Sequence, residues 1–152
     1  MARRGSVRAL LVLAGGVSLP FFMGCDPADP ADELFALAAN ALGQEAHGGR
    51  AMVVNPLLLA PENPRMPEPA LQSLQDQGFE VMGPDGMEDP EKATLYFSPP
   101  RAMEDGRFTL DVYVSLGVRP GRMRRGDTWW RVVVGCEEVC SVAEIAPTAP
   151  PS

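Results

Sequence analysis

Residues 107–117, "RFTLDVYVSLG", alternate without a break. Phe108, Leu110, Val112, Val114 and Leu116 fall on one side of an extended chain, and Thr109, Asp111, Tyr113 and Ser115 on the other. A period of two with one apolar and one polar side is the pattern of a strand in an antiparallel sheet, buried on one face only. Such a strand needs neighbours for its hydrogen-bond ladder and a cover for its apolar face, and both can be sought outward from it.

Upstream, "ATLYFS" (93–98) reads as a second strand and "PPRAMEDG" (99–106) as a turn region. Downstream, "VRPGRMRRGD" (118–127) turns the chain into "TWWRVVV" (128–134), and "SVAEI" (141–145) comes after another turn. Strands in succession with short connections predict a meander. Cover comes from the first half. Asp29 reads as an N-cap, with Pro30 at the first helical position and Asp32 and Glu33 in the first turn. Leu34, Leu37, Ala38, Ala41 and Leu42 continue at helical spacing to Gly43, which should end the helix. "AMVVN" (51–55) reads as a short buried strand, and five prolines in residues 56–69 predict a surface segment with its leucines tucked inward. Pro69 then opens a short helix stopped by Gly78, and "FEVMG" (79–83) is a further short strand. The expected fold is α+β: two N-terminal helices packed on an antiparallel β-meander of about four to five strands.

The ends carry a different message. "MARRGSVR" holds Arg3, Arg4 and Arg8 and no acid, and an apolar run broken by Gly15, Gly16 and Pro20 comes next. That is the pattern of an export signal over residues 1–24, and its breaks make it a poor spanning helix. The residues Phe22-Met23-Gly24-Cys25 resemble the lipobox of bacterial lipoproteins. The resemblance implies cleavage before Cys25 and acyl chains on that cysteine. Phe22 and Met23 depart from the commonest residues of that family at those places. The same resemblance implies a membrane partner reached through a lipid anchor, and a location at a bacterial cell membrane facing the periplasm or the exterior. Residues 25–29 would be the tether, 30–146 one domain, and 147–152 a disordered proline-rich tail.

Three of the 13 basic residues precede Cys25, leaving 10 against 20 acidic ones and a net charge of −10 from residue 25 onward. Such a surface repels phosphate backbones, so nucleic acid is not an expected partner. With Cys25 set aside, Cys136 and Cys140 in "GCEEVCSV" are an even remainder in an exported chain, which predicts a disulfide. Their spacing is one residue longer than a redox C-x-x-C pair.

The chain contains no G-x-S-x-G, no phosphate-binding glycine loop and no H-E-x-x-H, and its single histidine, His47, lies in a glycine-rich stretch. Hence no catalytic residue, metal or cofactor is assigned. Asp85, Glu88, Asp89 and Glu91 do not match the EF-hand spacing and read as a solvated acidic loop. Arg119, Arg122, Arg124 and Arg125 read as a solvated turn.

Trp129 and Trp130 must face opposite sides of their strand. Trp130 aligns with Val132 and Val134 in the core, whereas Trp129 shares the polar side with Arg131. Tyr96, Asp111, Tyr113, Trp129 and Arg131 are therefore the candidate contact residues: an aromatic platform with one carboxylate and one guanidinium, suited to a small polar ligand or an envelope protein. The alternative is a set of cross-strand pairs that stabilise a solvated face. The element order, with a tryptophan near the C-terminus, also resembles NTF2-like or cystatin-like domains. That likeness implies a pocket-bearing domain and assigns no residue.

Overall fold

The computed structural model describes residues 29–44, 50–116 and 128–150. The expected export signal (residues 1–24), Cys25, His47 and the Arg119–Arg125 cluster lie outside the described residues. Within them the elements are, in chain order, α1 (Pro30–Gln44), β1 (Met52–Val54), α2 (Glu68–Asp76), β2 (Glu80–Val81), β3 (Ala93–Phe97), β4 (Arg101–Ala102), β5 (Phe108–Ser115), β6 (Thr128–Cys136) and β7 (Cys140–Thr148).

The α+β character holds, but the sheet is not the expected meander. Seven strands form one sheet in the order β2-β1-β3-β5-β6-β7, with β4 paired to β5 beside the end of β3. β1 runs parallel to both β2 and β3, so only the later part is antiparallel. Segments 51–55 and 79–83 form β1 and β2 as expected but join the sheet in parallel, and only β4, two residues long, was not expected. Parallel neighbours require crossover connections. Helix α2 makes the first, from β1 to β2. Residues 82–92 make the second, from β2 to β3, and pass over the opposite face of the sheet, where Glu88 is bonded to β3 and β5.

Local chemistry sets the helix ends. The Asp29 side chain accepts a hydrogen bond from the Ala31 N–H at 3.0 Å, the N-cap read from the sequence. Gly43 does not end α1, which continues through Gln44. In α2, Pro69 lies in the first turn. At the other end Gly78 has φ +87°, its N–H bonds Gln75 O at 2.9 Å, and the Phe79 N–H bonds Leu74 O at 3.0 Å. This is a Schellman cap, which needs a left-handed residue at that place and therefore favours glycine.

The core lies between the helices and one sheet face. Leu34, Phe35, Leu42, Leu71 and Leu74 from the helices meet Leu95, Phe97, Leu110, Val112, Val114, Val132 and Val134 from the strands. Phe35 and Phe97 pack edge to face at 5.6 Å. The apolar alternation of β5 is thus buried where its period placed it. In the proline-rich segment Leu58 is buried and Leu57 is exposed. Sγ atoms of Cys136 and Cys140 lie at bonding distance, 2.05 Å, across the β6–β7 turn, which is compatible with the expected disulfide.

The tail begins later than residue 147. β7 runs to Thr148, with Pro147 opposite Trp130 and Thr148 opposite Trp129. A proline is tolerated there because β7 is an edge strand whose outer side needs no donor. Proline content alone read this segment as disordered, and edge pairing overrides that reading.

A candidate contact face on the sheet

Directly opposed residues on neighbouring strands share a face, so the register lays out the side away from the helices in rows. One row is Tyr96, Tyr113, Trp129 and Thr148, across β3, β5, β6 and β7. The next is Asp111, Arg131 and Ala146, and beyond it lie Arg101, Thr109, Val133 and Glu144. On the other flank Thr94 pairs with Ser115. All five candidate residues, Tyr96, Asp111, Tyr113, Trp129 and Arg131, therefore stand on this one face.

Their arrangement differs from the expected platform. The ring centroids of Tyr96 and Tyr113 are 5.8 Å apart at 40°, and those of Tyr113 and Trp129 are 5.1 Å apart at 34°. At that separation the rings lean on one another in a tilted arrangement. Trp129 ends the aromatic row and is partly exposed, and its neighbours on β7, Thr148 and Ala146, are small.

Asp111 is not a surface carboxylate. It is 2% exposed, and its two oxygens accept from two guanidiniums: Arg131 Nε at 2.8 Å and Arg101 Nη2 at 2.9 Å. The Ser98 hydroxyl also accepts the Asp111 backbone N–H at 2.8 Å. Burial of a carboxylate is tolerable only with such partners. Both arginines stay half-exposed at their side chains, 60% for Arg101 and 50% for Arg131. Arg101 was not legible as part of this face, because Pro99-Pro100 reads as a turn and hides the two-residue β4 that carries it.

No family model, no curated protein and no solved structure matches the chain.

Glu88 is the other residue that the sequence did not place. It comes from the 82–92 crossover and clamps the face from above. Its carboxylate accepts the Tyr96 hydroxyl on one oxygen and the Ser115 hydroxyl, at 3.0 Å, on the other. Burial and then this bond to Glu88 push the Tyr96 phenol up to about 12. A separate cavity of about 230 Å³ lies between β1, β2 and the same crossover, lined by Val53, Glu80, Met82, Met87, Asp89 and Lys92. It does not touch the aromatic row. Among the described residues, no three of His, Cys, Asp and Glu gather as a metal site would require.

The chemistry available on this face is donation and ring contact: guanidinium N–H groups and partly exposed aromatic rings. Asp111 and Glu88 are both engaged by hydrogen bonds, and Glu144 on β7 is an exposed carboxylate one row beyond Arg131.

Proposed function

We propose that this protein is an exported, lipid-anchored binding module of a bacterial cell envelope, and that the face bearing Tyr113, Trp129 and Arg131 is its contact surface. One observation carries the reading: a partly exposed aromatic row stands beside two half-exposed guanidiniums on the sheet face turned from the helices. The second arginine, brought in by β4, satisfies the other Asp111 oxygen and keeps further N–H donors on a half-exposed side chain beside the aromatic row. The export pattern and Cys25 support the anchor, and two or three acyl chains are enough for stable attachment without a spanning helix.

Two measurements test this. The intact mass of protein extracted from its host's membranes should equal residues 25–152 plus acyl chains, less two hydrogens. A mass without lipid removes the anchor. For the contact face, the two indole N–H resonances are natural reporters. Trp130 points to the core side and its N–H bonds the Thr128 hydroxyl at 3.0 Å, so it serves as the internal control. A set of small ring compounds, neutral and charged, should move Trp129 and leave Trp130 in place. Movement of neither indole, or of Trp130 alone, refutes the contact face.

A further inference from the structure

We infer that Arg101 and Arg131 form a receptor for a single carboxylate on a ring-bearing small molecule, with the ligand's ring beside Trp129. The inference rests on the proposed contact face and names its ligand class.

The first argument is charge. Among the described residues two guanidiniums share one carboxylate, Asp111, so the group carries one uncompensated positive charge. Each guanidinium has five N–H donors, and each spends one on Asp111. Asp111 is buried and cannot move out to compensate further, and the Arg131 guanidinium is raised by its bond and attraction to Asp111 alone. The remaining donors belong to side chains that stay half-exposed. One monoanion neutralises the group. A dianion such as phosphate would leave excess negative charge on a chain that already carries −10 from residue 25 onward.

The second argument is shape. Arg131 and Trp129 are two residues apart on β6, so their side chains rise from one face roughly 7 Å apart. Beside them on β7 stand Ala146 and Thr148, both short. The large indole and the guanidinium on β6 thus stand next to short side chains on β7, leaving room for a ring beside Trp129. Tyr113 packs against the indole at 5.1 Å, so the indole is pre-oriented before a ligand arrives. A ring that bears a carboxylate, laid beside Trp129, brings the anion toward the long Arg131 side chain. An aromatic acid and a sugar acid share this chemistry.

The third argument is fixation. A guanidinium in water is floppy, and ordering it costs binding energy. Asp111 has already ordered both arginines, and its own position is fixed by the Ser98 hydroxyl and by its backbone pairing with Ser98 N at 2.8 Å. Preorganised forks are how arginine recognises carboxylates.

The test titrates the mature domain with benzoate, glucuronate, benzamide and methyl glucoside, reading the Trp129 and Trp130 indole N–H resonances. Expected is saturable movement of Trp129 by at least one acid, with its uncharged counterpart at least tenfold weaker. Stronger binding of benzoate or of glucuronate then assigns the source as an aromatic or a sugar acid. Arg131→Lys retains a positive partner for Asp111 while losing the fork, and Arg101→Gln leaves Arg131 in place. Each should weaken acid binding about tenfold or more and leave the melting temperature within a few degrees. If acid and neutral compounds move Trp129 equally, the contact face stands and the carboxylate receptor is overturned. If no compound moves Trp129, both fail. Unchanged acid binding in both arginine variants also overturns the receptor.

Discussion

At the scale of single residues, Asp111 and Tyr96 show how burial decides the worth of a polar group. Asp111 is paired twice at 2% exposure, while its two arginine partners keep half their surface. Breaking this cluster is therefore asymmetric. Asp111→Ala releases two guanidiniums that water can solvate, and costs roughly 2 kcal/mol, the worth of its charge-assisted hydrogen bonds. The double variant Arg101→Ala, Arg131→Ala leaves a carboxylate buried without a charged partner, and should cost more, roughly 3–5 kcal/mol. Urea unfolding of both variants checks the order; the reverse order would mean that Asp111 is readily reached by water. Tyr96 titrates near 12, raised by burial and by its bond to Glu88. Its unfolded value is about 10, so the folded state holds the phenolic proton more tightly. That stabilisation is complete below pH about 10 and is lost as pH rises from about 10 toward 12. Absorbance titration should resolve this phenol above the ordinary range, and Tyr96→Phe should flatten the fall in stability over that window.

At the scale of elements, turn chemistry fixes what periodicity leaves open. Gly78 closes α2 with φ +87°, and a Cβ there would meet nothing within 4 Å. Gly78→Ala thus carries backbone strain without a clash, and should cost about 1 kcal/mol, measured as a lower urea midpoint at unchanged slope. The β6–β7 hairpin is tied by Cys136 and Cys140 across a turn of three residues. Closing so short a loop removes little chain entropy, so the pair Cys136→Ser, Cys140→Ser should lower stability by at most about 2 kcal/mol. A larger loss would mean that the bridge holds the register of β7, including the bulge between Val133 and Val134. The helix starts, the alternation of β5 and the opposed faces of Trp129 and Trp130 were readable because each comes from a local period or cap. β4, two residues long, was not, and it brings Arg101 to the site.

At the scale of the whole molecule, charge and topology act together. From residue 25 the chain carries −10, while its ion pairs at the surface, such as Lys92–Glu80 and Arg107–Asp105, are each worth little. Self-repulsion should outweigh them, so raising salt from low concentration to a few hundred millimolar should increase the urea midpoint. A fall would show that attractive pairs dominate. Two crossovers, one by α2 on the core face and one by residues 82–92 on the other, make the sheet mixed and bring Glu88 over Tyr96 and Ser115. By itself the sequence determined the α+β class, both helices, the buried face of β5 and the five candidate residues on its other side, because period and capping are local properties. Only the tertiary structure decided that three parallel strands lie at one side of the sheet, that Pro147 belongs to an edge strand, and that Asp111 is spent on two arginines. Those outcomes depend on which distant segments meet, and no local period encodes the closure of a long loop.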